Sequence, residues 1–473
     1  MLPAGNKLSI TSKIHEILIT DMRLTNFLPH NWLLLKGKCD CYNIDADNFG
    51  RRGGLMSHKG KLLVFAGSFL ILLYGVSAKF SGKIVAKDDA YKELSVFMTV
   101  INRITDDYVE APDMNNVQEG AMRGLMDALD PYCSFLSKDQ YESLLKRKEN
   151  GHAGAGMVLS KRSDVIYVVS CEYDSPAEEA GVRPGDYLIA IDGQSVEDKS
   201  IVEADSLLHG APGTKVKVTV FRSARSKPLD VEITLRNQTG IPVTHKMLDG
   251  NVGLLDVSSL ADSAVEQVKI KLKTLISAGA RKLLLDLRDC ADGTPSAGAD
   301  LANYFIRNGV IYYSQNRQGE KVQVVEANPD KFVTDLPLVV LIDSSTAGAA
   351  EITAGALKDL DRATIVGEKS FGIGSAQKTI QLKSGAILIL STAKYYTPNG
   401  KVIQDETVRT AGISPDIQAP DDETRQDLAV ESYYDEQDDL GKYRELQEKI
   451  DKIQLDKALE ILSEAESPAK KAA

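Results

Sequence analysis

The chain has 473 residues, 43% of them hydrophobic and 26% charged, and a formal net charge of −11. That length suggests roughly two to four domains of ordinary globular composition, and the acidic balance excludes the basic footprint of a nucleic-acid-binding protein. The cysteines carry no zinc or disulfide spacing: Cys39 and Cys41 form C-x-C, Cys133, Cys171 and Cys290 are far apart, and no two histidines stand in H-x-x-x-H. Buried thiols are expected, with no metal or other cofactor.

Residues 1–55 contain the lone tryptophan, Trp32, and show no periodicity. Lys59 and Lys61 then precede the apolar run Leu62–Ala78, which ends in Val76-Ser77-Ala78. A basic start, an apolar stretch and small residues at its end are the layout of a signal peptide. An uncleaved membrane anchor is the alternative, because the run approaches bilayer-spanning length. Either way the remainder is expected in the cell envelope, in the periplasm or anchored in the inner membrane with its bulk outside the cytoplasm. Signal peptides stand at a true N-terminus, and Met56 opens this one. Residues 1–55 are therefore expected to be a non-native extension, and 56–78 the signal peptide or anchor.

Residues 79–150 read as a helical region. Leu94, Phe97, Met98, Ile101, Ile104 and Tyr108 recur at three- and four-residue spacing. Met122, Leu125, Met126 and Leu129 repeat the pattern before Asp130-Pro131-Tyr132, so both helices are expected to turn these stripes to a core. From 151 to 240 the texture changes to Gly-rich turns and alternating strands. Residues 241–420 read as a larger α/β region in which apolar strands such as "RKLLLDLRD" and "LPLVVLID" alternate with helices. Residues 421–473 form an acidic tail closing on a helix that includes Leu455–Leu462.

The run "SPAEEAGVRPGDYLIAIDG", Ser175–Gly193, resembles a PDZ domain. That resemblance implies capture of C-terminal peptides by strand addition, with the terminal carboxylate held on main-chain amides of a glycine-rich loop. The loop here would be "HAGAGM", in which Ala153, Gly154, Ala155, Gly156 and Met157 bind the peptide. The bland alternative is an ordinary glycine hairpin.

Over nearly everything from about Ala90 to Leu462 the chain is similar to the carboxy-terminal processing peptidases, or tail-specific proteases. The carrying motifs are "EGAMRGLMDALDPYCSFLS", the PDZ run, "LLLDLRD", "EITAGALKD", "VGEKSFGIGSAQ", "STAKYYTPNGK" and "GISPDI". The implied fold is multi-domain α/β: a ClpP/crotonase-like peptidase core with an inserted, β-barrel-like PDZ domain and helical N- and C-terminal segments. The implied chemistry is a serine nucleophile activated by a lysine whose burial keeps it neutral, with a glutamine assisting. Partners implied are C-terminal segments of envelope proteins, a second copy of the chain through its terminal helices, or an active relative.

The residues at the implied positions depart from that chemistry. Glu351 and Ile352 fix the nucleophile position as Gly348; "GEKSFGIG" puts Ile373 at the lysine position; the glutamine falls on Gln377. The oxyanion loop, Asn-Pro-Gly-Gly in the family, is Cys290-Ala291-Asp292-Gly293, so Asp292 is expected to bring negative charge towards a developing oxyanion. The expectation is an exported, catalytically impaired member that binds tails as a scaffold or regulator. The alternative is an active serine endopeptidase with a rearranged dyad drawn from Ser344, Ser345, Thr346 or Ser375 and Lys369 or Lys378. A third reading is a structural envelope protein whose groove is closed by its own chain.

Overall fold

The computed structural model describes residues 94–150, 153–162, 165–172, 174–222, 227–237, 243–261, 263–405, 410–433 and 440–464. The expectations for 1–55 and 56–78 lie outside them. No described helix is long and apolar enough to cross a membrane. Among the described residues, 94–120 group apart from those that begin at Ala121.

Helix α1 covers 94–107 and α2 is Met114–Asp127. Both form where the spacing predicts, but their stripes do not face a core. Leu94, Met98 and Tyr108 are 52%, 49% and 60% exposed, and Leu125 and Leu129 are 48% and 58% exposed. A helical period sets which residues share a face; it does not say what covers that face. After α2 come β1 (Ser134–Leu136) and α3 (Lys138–Asn150).

The next segment is a small β domain. Its elements are β2 (Ala153–Gly154), β3 (Met157–Arg162), β4 (Val165–Cys171), α4 (Pro176–Glu179), β5 (Tyr187–Ile191), β6 (Gln194–Ser195), α5 (Ile201–Leu207), β7 (His209–Gly210), β8 (Lys215–Phe221) and β9 (Leu229–Thr234). Ser175 caps α4 by accepting the Glu178 amide, and Pro176 takes the first helical position, where no donor is needed. The main sheet runs β3-β4-β5-β8-β9, antiparallel throughout, with β6 beside β5. Val216, Val218 and Val220 of β8 point inward while Lys215 and Lys217 face water, the period-two pattern of a half-buried strand. The buried pair Asp186–Arg222, at 2.7 Å, ties β5 to the end of β8.

The larger region has two sheets. Its elements are β10 (Val243–Leu248), β11 (Val252–Val257), α6 (Ala264–Ser277), β12 (Lys282–Asp286), α7 (Pro295–Asn303), β13 (Val310–Gln315), β14 (Lys321–Glu326), β15 (Leu338–Ile342), α8 (Ala349–Asp359), β16 (Thr364–Gly367), β17 (Ser375–Gln381), β18 (Ile387–Tyr396) and β19 (Ile417–Gln418). The first sheet, β10-β11-β12-β15-β16-β19, is parallel except for β10. All five residues of β15 are buried, because helices cover both faces. Helices α6, α7 and α8 pack on one face. On the other lie Ala458 and Leu462 of the C-terminal helix α10 (Leu440–Glu464), which follows α9 (Asp422–Tyr433). Arg288, just past β12, holds α10 through Asp451 (2.7 Å) and Gln454 (3.0 Å) while chelating Asp286. The second sheet, β1-β18-β13-β14 with β17 on the other side of β18, contains the predicted hairpin-like pair β17–β18.

Candidate active site and peptide groove

The site is the corner between β15 and α8. Asp343 ends the strand and organises the turn: its Oδ1 accepts from the amides of Ser345 (3.1 Å), Thr346 (2.8 Å) and Asp289 (3.1 Å) and from the Thr346 hydroxyl (2.8 Å). A short carboxylate at a strand end captures the next amides this way, turning the chain sharply. Gly348 follows at φ 58°, ψ −112°, and α8 begins at Ala349. That backbone conformation strains any residue with a side chain. Space is not the obstacle: a Cβ on Gly348 would have as its nearest neighbour the Ala291 carbonyl oxygen, at 3.8 Å.

Glu351, in the first turn of α8, is fully buried. Its Oε2 accepts from the amides of Gly348 (2.9 Å) and Ile373 (2.8 Å). Its Oε1 accepts from the Gly372 amide (2.8 Å) and the Ser370 hydroxyl (2.5 Å). Burial pushes the Glu351 carboxyl up to about 7, against the pull of these four donors. One side chain therefore braces the two backbone positions singled out by the sequence, Gly348 and Ile373, against each other. Sequence reasoning used Glu351 only to locate Gly348. The available signal was a glutamate three residues into a helix, where it can reach back to the amide at the helix start.

The loop after β12 lies against the same corner, where the Ala347 amide donates to the Cys290 carbonyl at 2.9 Å. The Asp292 carboxylate is hydrogen-bonded to the neighbouring loop. Oδ2 accepts from the Ser259 hydroxyl (2.6 Å) and Oδ1 from the Leu260 amide (2.9 Å), so the side chain ties the loop after β11. Gly293 next to it is exposed. Gln377 is exposed on β17 and donates to the Ser375 hydroxyl at 2.8 Å. Of the other hydroxyls, Thr346 is engaged by Asp343 and the Leu287 carbonyl, Ser345 is buried and Ser344 is exposed. Lys378 is exposed, while burial and the neighbouring Lys401 pull the Lys369 ammonium below its ordinary value.

The β domain meets this corner directly. Ser170 of β4 donates to the Asp289 carbonyl at 2.8 Å. The Tyr167 ring stacks on Phe371, two residues from Ile373, with centroids 6.0 Å apart. Arg183 lies over the Tyr443 ring of α10 at 4.1 Å.

The glycine loop is already engaged by its own chain. Ala153, Gly154, Ala155, Gly156 and Met157 are all buried. The Gly154 amide donates to the Arg236 carbonyl (3.1 Å) and the Ala155 amide to the Leu208 carbonyl (3.0 Å). A Cβ at Gly154 would stand 3.0 Å from the His209 ring, so any larger residue there would push the imidazole aside by a few tenths of an ångström. The following strand β3 is the outermost strand of its sheet.

Comparisons with known proteins place both regions. The model of peptidase family S41 matches residues 251–419 and that of a PDZ domain matches residues 167–222. The chain is 31% identical over 335 residues to the carboxy-terminal-processing protease of Bartonella bacilliformis, covering 70% of this chain and 76% of that protein. It is 33% identical over 321 residues to the carboxyl-terminal-processing protease of Synechocystis, covering 66% and 74%. Among solved structures, the photosystem II D1 C-terminal processing protease superposes with a TM-score of 0.58 at 27% identity, covering 67% of this chain and 86% of that one.

Proposed function

Because the chain belongs to peptidase family S41, among the carboxy-terminal processing proteases, and carries a PDZ domain, we propose that it is a catalytically impaired member that captures C-terminal peptide tails. One observation carries the proposal. Glu351 holds the amides of positions 348 and 373 on one carboxylate oxygen, at 2.9 and 2.8 Å, yet the side chains there are hydrogen and a hydrocarbon. Glycine offers no nucleophile, and isoleucine has no lone pair to take a proton. Losing either member of such a pair costs several orders of magnitude in rate.

The PDZ domain supplies the retained activity: a tail adds to the edge of β3 with its carboxylate at the loop 153–157, on amides other than those of Gly154 and Ala155, which the Arg236 and Leu208 carbonyls already take. The clients are C-terminal segments of envelope proteins, reached because the run 62–78 directs export. The protein acts on them as a scaffold, or as a regulator of an active relative.

The test has two arms. In the first, a fluorophosphonate probe and an unstructured protein substrate are offered to the protein and to the double variant Gly348→Ser with Ile373→Lys. The original chain stays unlabelled and inactive, and the double variant gains labelling at residue 348. Specific labelling of Ser375 or another serine in the original chain, with turnover, would establish the rearranged peptidase instead. In the second, tails with free and amidated ends are titrated; equal affinity for both would defeat carboxylate capture.

A further inference from the structure

Helix α5 packs against β3, and one stretch of chain from outside the β domain holds both. Asp127, the last residue of α2, accepts from Lys161 Nζ at 3.0 Å, and the Lys161 side chain is 6% exposed. Tyr132, just beyond it, has its hydroxyl 3.0 Å from that of Ser160. Asp130 fixes the turn between them: its Oδ1 accepts from the amides of Tyr132 (2.8 Å) and Cys133 (3.0 Å). The stretch then enters β1, which pairs with β18 of the core, and α3, which backs α5. Gln140 of α3 donates through Nε2 to Glu203 of α5 at 2.7 Å, while its Oε1 accepts from the Ser137 amide at 2.8 Å. Val202 of α5 packs with Leu136, Leu144 and Ile387. The far end of β3 and the start of α5 are thus fixed to the core through residues 127–144.

Successive residues of a strand point to opposite faces. Met157 and Leu159 belong to the core of the β domain, so Lys161 starts on that face and Ser160 on the other. Both are buried, and both are met by the short stretch Asp127–Tyr132. β4 fills one side of β3. The course from one face to the other is therefore open only at the unpaired side of β3 or beyond its end, and both lie on the path of a tail that continues past the strand. A tail with its carboxylate at the loop before β3 runs antiparallel to the strand, so its earlier residues head for Ser160. Between the loop and that crossing lie Met157, Val158 and Leu159. At about 3.4 Å per residue they offer about 10 Å of free edge. Building on the tail-capture reading, we infer that Asp127–Tyr132 closes the far end of the groove, that no more than about four tail residues pair with β3, and that Tyr132 is the positioning residue that sets this limit. The recognised unit is a short extended terminus whose preceding chain is free to turn away.

The experiment uses the full chain and fluorescein-labelled octapeptides, Ser-Ala-Ser-Ala-Ser-Ala-Ala-Val, each main-chain amide N-methylated in turn, beside the unmethylated free acid and its C-terminal amide. A methyl removes one pairing donor, so anisotropy titration is expected to show losses of about three- to tenfold at those amides of the last four residues that face β3. Methyls on the four residues before them are expected to leave the affinity unchanged. In the double variant Asp127→Ala with Tyr132→Ala the sensitivity is expected to spread to the fifth and sixth residues from the end, while the requirement for a free acid stays. Losses at the fifth to eighth residues in the original chain would overturn the inference and leave tail capture standing, as would a folded double variant with an unchanged pattern. Binding that needs the free acid yet ignores every methyl would overturn it too. Equal binding of acid and amide would remove tail capture and this inference together. If the double variant does not fold, the methylation scan on the original chain decides.

Discussion

Replacing Gly348 by alanine tests the elbow itself, apart from any chemistry. At φ 58°, ψ −112° a residue with a Cβ is strained by about 1–3 kcal/mol. Steric crowding adds nothing, because the nearest atom outside the turn would be the Ala291 carbonyl oxygen at 3.8 Å. The substitution also restricts the unfolded chain, which stabilises the fold by about 0.4–1 kcal/mol. The net expectation is a destabilisation of about 0.5–2 kcal/mol. With a urea slope of about 3 kcal/mol per molar, the unfolding midpoint falls by about 0.2–0.7 M. Gly348→Ser should fall by a similar amount, since its strain arises at the backbone. The assay is urea unfolding followed by far-ultraviolet circular dichroism. An unchanged or raised midpoint in both variants would show that residue 348 does not occupy this conformation in solution, and the reading of the corner as a strained turn would go with it.

Three further outcomes follow from buried charges. Asp186 and Arg222 are 1% and 8% exposed and bonded at 2.7 Å, so Arg222→Met alone strands a carboxylate and should destabilise the PDZ domain by about 3–5 kcal/mol. Pairing it with Asp186→Leu should recover most of that loss; thermal unfolding of the two variants checks the order. Glu351 titrates near 7 in the fold against an ordinary 4.5, so the fold keeps its proton longer than the unfolded chain does. Its contribution is therefore fully present below about pH 4.5 and lost as pH rises through 7, by about 3 kcal/mol. Glu351→Gln should remove that slope, measured as the difference between the two stability profiles across pH 4.5 to 8. Arg288→Met should release the start of α10, because Asp451 and Gln454 both depend on its guanidinium; faster hydrogen exchange confined to α10 would register it.

The fold was readable where a pattern reports local physics. Fully apolar strands such as Leu338–Ile342 announce a sheet covered on both faces. The alternation in Lys215–Phe221 announces one covered on a single face. The Ser175-Pro176 start predicts the short helix of the PDZ run, because cap chemistry is local. What the sequence does not carry is which side chains of distant segments meet. Glu351 reaches a loop about twenty residues on, and nothing in "EITAGALKD" says that its carboxylate will collect four donors. That Asp292 would accept from Ser259 and Leu260, about thirty residues earlier, is likewise not written in its loop. The stripes of α1 and α2 were legible as stripes and not as exposed surfaces, since periodicity names a face without naming its neighbour. His209 escaped notice because its packing over Gly154 is a relation between residues 55 positions apart in the chain.

The shape of the corner with glycine at 348 and isoleucine at 373 has a physical explanation. The Asp343 carboxylate accepts from the Ser345 and Asp289 amides at the turn, where donors need partners. Glu351 does the same for Gly372 and Ile373 and for the start of α8. These carboxylates hold the sheet, the helix and the 370–374 loop together whether or not position 348 carries a hydroxyl. The frame is thus a requirement of folding as well as of catalysis, and its presence alone does not argue for turnover. For the same reason the double restoration at 348 and 373 is a fair trial: a serine arriving there meets open space, and a lysine arriving there meets a backbone already fixed by Glu351. If no activity appears while the variant folds and keeps the amides at positions 348 and 373 protected, an alcohol and an amine at these positions do not suffice for turnover, and the loop Cys290–Gly293 becomes the next place to change.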